Sequence, residues 1–453
     1  MPHHIDTAPY PTRQAPRHPF PVQALPPSDE SREVLHNEVH ARPPARIRLP
    51  ALVVYVAVLN DGVTREQECA HLRALSGQDD LPVQALAGNF LRLRFDNYTL
   101  KWERHTEFSR YSLVQKLPDD ALNGGDEAAL LQSLVIPPSW WAAIPGKTVT
   151  AIMMAMVHGD VDDPTAMRRT AEPWLESREP LASLLGVRRS CAMSNFRLRD
   201  SGFERLLVIS PPNTSELRAG RLSQRLLEVE TYRLMALRGL PVAKELAPML
   251  SEAESQLADI TARMEQADTS DQALLDTLIA LAARIERATA SHMYRFSATL
   301  AYHRLVEQRI EEMREAPIPG TQMLGEFLQR RLAPAINTVQ ATAQRLNALS
   351  QRIERTSALL RTRVDIAAEA QNQQLLEKLT KGQELQLRLQ STVEGLSIAA
   401  ISYYVISLIL YAGKAAKAAG IGVHPEMLAG ALTPVVVLTI WWATRQIRKR
   451  LHD

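Results

Sequence analysis

Cysteine is nearly absent: Cys69 and Cys191 are the two in 453 residues. That excludes a disulfide framework and a cysteine-rich zinc or iron–sulfur site, and it fits a reducing compartment. An excess of one charge is also missing. Fifty-two Lys and Arg stand against 50 Asp and Glu, a net +2, so no global basic field points to nucleic acid. The sequence holds no GxxxxGK[ST] phosphate loop, GxGxxG, HExxH, GxSxG or EF-hand loop. Nucleotide, zinc-protease and serine-hydrolase chemistry lose their usual signatures, and no motif calls for a cofactor. The first 27 residues lack the apolar core of a secretory signal. A mean hydropathy of −0.16 describes a soluble chain, and the two ends qualify that average.

Residues 1–27 contain eight prolines. Proline removes amide donors and fixes φ, so this stretch reads as a disordered arm. The other end carries two uncharged runs, residues 395–413 and 427–444. Each covers about 27–29 Å as a helix, near the hydrocarbon thickness of a bilayer. Trp441 and Trp442 end the second run, and Arg445, Arg448, Lys449 and Arg450 follow it. Aromatic residues prefer the interface and basic residues mark the cytoplasmic side. The intervening loop carries Lys414, Lys417 and Glu426. Two spans with a basic tail at 445–453 put both termini in the cytoplasm. The predicted partner is therefore the lipid bilayer, with no nucleic acid.

The interior divides at Pro211-Pro212. Residues 28–212 read as an α+β, or α/β, cytoplasmic domain with a mixed sheet. Leu52–Leu59 is a continuous apolar, β-branched run that suits a buried strand. Phe90–Phe95 and Tyr98–Glu107 alternate in period 2 around the turn dipeptide Asp96-Asn97, which predicts a hairpin. Tyr111–Gln115, Thr148–Val157, Cys191–Arg199 and Phe203–Ser210 read as further strands. Residues 213–394 read as a helical bundle and stalk. Val339, Leu346, Ile353, Leu360 and Ala367 fall seven apart, with Ile336, Ala343, Ser350, Ser357 and Val364 as a companion seam. That coiled-coil spacing predicts a homo-oligomer through the stalk. A two-helix transmembrane hairpin closes the chain.

Two segments could carry chemistry. In His36-Asn37-Glu38-Val39-His40-Ala41-Arg42-Pro43, a helix would put His36 and His40 one turn apart, a weak metal-ligand pattern. Arg42 suits a carboxylate or phosphate. The plainer reading is a short helix with Glu38 and Arg42 as an i,i+4 pair. In Lys101-Trp102-Glu103-Arg104-His105-Thr106-Glu107-Phe108, a strand puts Lys101, Glu103, His105 and Glu107 on one face. The carboxylates flanking His105 could tune proton transfer or hold a cation. The plainer reading is a solvated face of alternating charge. Arg104 lies on the Trp102 side, which should be buried, and Glu38 is its expected partner. Trp140-Trp141 and Met153, Met154 and Met156 read as core. Tyr403-Tyr404 reads as a helix–helix contact within the first span.

Asn37–Pro43, Leu100–Phe108, Arg221–Leu237 and Leu396–Tyr404 together resemble the bacterial family called domain of unknown function 3422. That resemblance implies a membrane-anchored protein of the bacterial inner membrane and assigns no catalytic residue. A looser architectural likeness is to CorA-type magnesium channels, which have a cytoplasmic α/β domain, a long stalk helix and two C-terminal spans. Their Gly-Met-Asn signature is absent, and Tyr411-Ala412-Gly413-Lys414 stands in its place. The leading expectation is a non-enzymatic anchored scaffold or sensor. A CorA-like divalent-cation channel is the first alternative. The second is a tethered ligand-binding domain or enzyme using Glu38, His40, Arg42, Glu103, Arg104, His105 and Glu107.

Overall fold

The computed structural model describes residues 29–32, 35–36, 43–123, 127–266, 270–420, 422 and 424–446, together with the backbone of 5–6 and 447–452. Two compact units divide the chain: residues 1–262 with 278–354, and residues 263–277 with 355–453.

The first unit is built on a ten-stranded sheet. Its strands are β1 (Ile5–Asp6), β2 (Ala51–Leu59), β3 (Phe90–Arg94), β4 (Tyr98–Arg104), β5 (Phe108–Lys116), β6 (Lys147–His158), β7 (Leu181–Leu185), β8 (Ser190–Ser194), β9 (Glu204–Ser210) and β10 (Ala316–Pro317). Their spatial order is β1-β3-β4-β5-β2-β6-β9-β8-β7-β10. The sheet is mixed, as expected. The β6–β9 pair is parallel and its neighbours are antiparallel. A parallel pair needs a long crossover. Here residues 159–203 supply it, carrying one helix and the β7–β8 hairpin.

The apolar run of β2 has a direct cause. β2 lies between β5 and β6, and both faces of the sheet are covered. Leu52, Val54, Val56 and Val58 enter one core, and Val53, Tyr55 and Ala57 enter the other. A strand buried on both faces has no polar side to alternate. The first face carries α1 (Arg65–Arg73), α2 (Glu127–Gln132), α3 (Pro138–Ala142) and α4 (Pro164–Leu175). Trp140 and Trp141 sit in that core, as does Met153, while Met154 and Met156 fill the other.

After the sheet come α5 (Glu216–Leu237), α6 (Gly239–Glu265), α7 (Asp271–Met313) and the very long α8 (Leu324–Ala418). The second face is covered by α5, the end of α7 and the start of α8. Leu226 and Met235 of α5, Ile310 of α7 and Leu328 and Ile336 of α8 meet the sheet in one core. Beyond the sheet, α6 buries Leu246, Leu250, Ala253, Leu257 and Ile260, and α7 buries Leu278, Leu281 and Ile285. Both rows follow the 3–4 spacing of a packed seam. Arg345 of α8 bonds Glu254 of α6 at 2.8 Å, and Arg284 of α7 pairs with Glu252 of α6.

The heptad of α8 is therefore used inside the chain in this unit. Val339, Leu346 and Ile353 are buried. Their buried companions are Thr342 and Leu349, whereas Ala343 and Ser350 are only half-buried. The buried companions fall three residues after Val339 and Leu346, the a-to-d step of a heptad, whereas the expected row falls four after them.

Strand β8 is shorter than the predicted Cys191–Arg199. Asn195 explains the stop: its Oδ1 accepts from the Arg197 amide at 3.1 Å, and Ser194 Oγ accepts from the Phe196 amide at 3.0 Å. Such local bonds replace the ladder.

In the second unit, Arg363 of α8 bonds the Met264 carbonyl and pairs with Asp271 at 3.2 Å, while Leu360 is buried. The final helix is α9 (Pro425–His452). Gly413 of α8 and Pro425 touch, since a Cβ on Gly413 would lie 3.2 Å from the Pro425 Cβ. Tyr403 and Tyr404 do not form the expected contact. Both are exposed, and their rings meet each other edge-on at 5.8 Å.

Candidate functional site

Lys101 and Glu103 alternate with Leu100 and Trp102 along β4, so the pleat sends them to the α5 side of the sheet. The expected solvated face does not exist there. Glu103 is 0% exposed and Lys101 is buried too, because helices cover that side. The cost of burying these charges is met by a line of partners. Lys101 Nζ lies 3.0 Å from Glu103. Arg110 of β5 donates to Glu103 Oε2 at 2.5 Å and reaches Glu228 of α5 at 3.4 Å. Arg309 of α7 donates to the other oxygen of Glu228 at 2.6 Å. Arg309 also bonds Glu312 at 2.8 Å, and Glu312 lies 3.4 Å from Arg225 of α5.

Signs alternate along this line, and they set the ionisation. Burial by itself would raise the Glu103 carboxyl, but Arg110 and Lys101 more than offset it and hold the group well below its ordinary range. Burial pulls Lys101 down, with Glu103 opposing. Beside the line, the Tyr55 hydroxyl and Thr231 Oγ1 lie 2.7 Å apart. A cavity of about 20 Å³ touches Tyr55, Lys101, Glu103 and Arg110, room for about one water. Ala45 and Ile47 close it. The strap holding them is tied by Arg92, which donates to the Pro43 carbonyl at 2.8 Å. It also lies hard against α5, where a Cβ on Gly220 would fall 1.6 Å from the Ala45 oxygen.

Glu38, His40 and Arg42 lie outside the described residues, as does any pairing of His36 with His40. His36 itself is helical and exposed. Arg104 takes a partner other than the expected Glu38. It reaches the first face, donating to Glu68 of α1 at 2.5 Å and to the Val63 carbonyl at 2.8 Å. His105 begins the β4–β5 turn, its amide donating to the Phe108 carbonyl at 2.8 Å, and its ring stacks on Phe108 at 4.6 Å. Glu107 pairs with Arg295 of α7. The four residues from the second segment thus separate. Arg104 and His105 share a polar hollow of about 330 Å³ with Arg65, Asn89 and Thr106. Glu103 lies in the buried line, and Glu107 binds the helical layer. Among the described residues, no group of three or more His, Cys, Asp or Glu side chains could hold a metal ion.

The segments that build this arrangement belong to one recognisable pattern. The family described as "Protein of unknown function (DUF3422)" matches residues 27–451. The chain belongs to that family. No curated protein matches it. The DUF3422 match spans the strap, the buried line, the long helices and both apolar C-terminal runs.

Sequence reasoning missed Arg110, Glu228 and Arg309, whose partners are far apart in the chain. It also missed a second buried carboxylate. Glu204 of β9 faces Glu230 and Arg233 of α5. Burial first, and then the neighbouring Glu230 charge, push Glu204 up to about 8, with Arg233 opposing. Arg233 pairs with Glu230 and lies 3.8 Å from Glu204. Both cysteines are buried and free, and burial pushes the Cys191 thiol up to about 12, so it is no nucleophile at neutral pH.

Two outcomes are expected. Glu103→Gln leaves Arg110 and Lys101 short of a countercharge and should lower unfolding stability by about 3–5 kcal/mol. Urea titration of the two proteins checks this, and equal midpoints would contradict it. Glu204 holds its proton in the folded state at pH values where the unfolded carboxyl has lost it. Its contribution is complete below pH 4.5 and is lost as pH rises through about 8. Wild type should therefore lose stability between pH 5.5 and 8.5 relative to Glu204→Gln. Parallel pH profiles for the two would contradict this.

Proposed function

We propose that this chain is anchored in the bacterial inner membrane by a C-terminal hairpin and acts as a scaffold or sensor. Its α/β domain faces the cytoplasm. The observation that carries the reading is apolar surface left uncovered. The most apolar 18-residue windows of α8 and α9 have mean hydropathies of 1.8 and 1.7, and only 6% of each window is buried. A core helix of a soluble protein would cover such a window. Leu408, Leu438, Trp441 and Trp442 are all exposed, and hydrocarbon is the solvent that suits them. The four basic residues after Trp442 favour a cytoplasmic tail, and an even number of spans puts the α/β domain on the same side.

A scaffold or sensor suits a buried line of charges whose cavity has room for about one water. Self-association belongs to the same reading. Leu375, Leu379, Leu389 and Val393 of α8 are exposed, and an isolated helix in water gains little without a packed face. A second copy packed along this stretch would cover them.

In sealed spheroplasts the intact protein should stay with the membrane after an alkaline carbonate wash and resist external protease. Release into the wash, or cleavage of the α/β domain from outside, would sink the anchoring or the orientation. The purified chain in mild detergent should have the mass of an oligomer. A monomer mass would contradict self-association.

A further inference from the structure

Arg218, Arg221 and Arg225 stand at i, i+3 and i+7 on α5, so one face of the helix presents all three. They line a cavity of about 380 Å³ together with Gly186, Ser190 and Ser215, and no acidic residue among the described residues lines it. Arg188 and Arg189, on the neighbouring β7–β8 turn, have no carboxylate partner among the described residues, and neither does Arg221. Arg218 donates to the Gly186 carbonyl at 3.2 Å. Arg225 shares Glu312 with Arg309.

The arrangement costs stability in the free protein. Like charges at i,i+3 repel, and Arg218 sits in the first turn of α5, where the helix dipole disfavours a cation. Burial and the neighbouring Arg189 and Arg221 charges pull the Arg218 guanidinium below its ordinary value, and no carboxylate opposes them. The turn adds strain. Gly186, Val187 and Arg188 are all left-handed, at φ 62°, 62° and 57°, and a β-branched residue there is a genuine outlier. Val187 is 65% exposed, so its burial does not explain the conformation. Gly186 has its own reason: a Cβ would lie 3.1 Å from the Arg218 guanidinium. Strain of this kind concentrates at binding sites. The buried line of charges ends here as well. It holds four cations, Lys101, Arg110, Arg309 and Arg225, against three carboxylates, Glu103, Glu228 and Glu312, and Arg225 is its pocket end.

We propose that the cavity between the first two turns of α5 and the β7–β8 turn binds a phosphate-bearing polyanion, held by Arg218, Arg221 and Arg225. Guanidinium forks match phosphate oxygens in pairs, and amides at the start of a long helix add favourable partial charge. The Ser215 hydroxyl at the N-cap makes no capping bond and is available to donate. A soluble pyrophosphate-type ligand and a phosphomonoester lipid headgroup present the same chemistry.

The test uses the full chain in detergent and isothermal titration with two probes. One is inorganic pyrophosphate. The other is a short-chain phosphatidic acid, with the matched phosphatidylcholine as control. Binding of either probe is expected to weaken at least about tenfold in Arg221→Glu, the loss of one charge-assisted contact, and to weaken with added salt. Arg221 is exposed and has no ion pair to lose among the described residues, so the variant should keep its gel-filtration profile. If it does not, Arg221→Gln takes its place. Arg352→Glu, on the exposed side of α8, should bind as wild type does. Binding of pyrophosphate assigns a soluble ligand, and binding of phosphatidic acid alone assigns a headgroup. Binding of neither probe, or equal binding by wild type and the Arg221 variant, overturns the proposal.

Discussion

A guanidinium buried in the middle of a sheet is costly unless its partners are fixed in place. Arg110 meets that condition from two directions. Glu103, on the adjacent strand, holds its Nε, and Glu228, on the covering helix, holds the other end of the fork. Sheet and helical layer are thereby joined through one side chain. Glu228 extends the joint, since Arg309 of α7 takes its second oxygen and Gln224 donates to its first at 2.8 Å. The apolar core between the layers supplies the bulk of the attraction, but apolar contact alone would tolerate sliding. The charges fix the register of α5 and α7 on the strands.

This constraint explains other features. The strap at residues 43–47 must pass close to α5 to close the small cavity, and Gly220 admits it. Arg92 anchors the start of the strap and is the cross-strand partner of Lys101. The same line of ions runs out to Arg225 at the edge of the arginine pocket. An anion there would meet a charge whose neighbours reach back to the sheet.

Much of the fold was legible because local periodicity encodes it. β2 and the hairpin around Asp96-Asn97 follow from apolar runs and turn residues, and the two terminal runs follow from length and lack of charge. The candidate site was legible only in part. Lys101 and Glu103 were singled out, yet a strand of alternating charge looks solvated unless the covering layer is known. Glu228 lies 118 residues from Arg110, and no local pattern links them. Arg104 was correctly placed on the buried side, but its partner Glu68 belongs to a helix 36 residues earlier. Arg218, Arg221 and Arg225 show their spacing in the sequence. Their meaning depends on the β7–β8 turn, whose first strand, a short Leu-Ala-Ser-Leu-Leu run, carries no strong signal of its own.

The central claim is that Arg110 and Glu228 couple the sheet to the helices. A double-mutant cycle with Arg110→Met and Glu228→Gln, read by urea unfolding of the full chain in detergent, tests it most directly. The account predicts a coupling energy above about 1.5 kcal/mol between the two sites. Losses that add to within about 0.5 kcal/mol would show independent residues and contradict it.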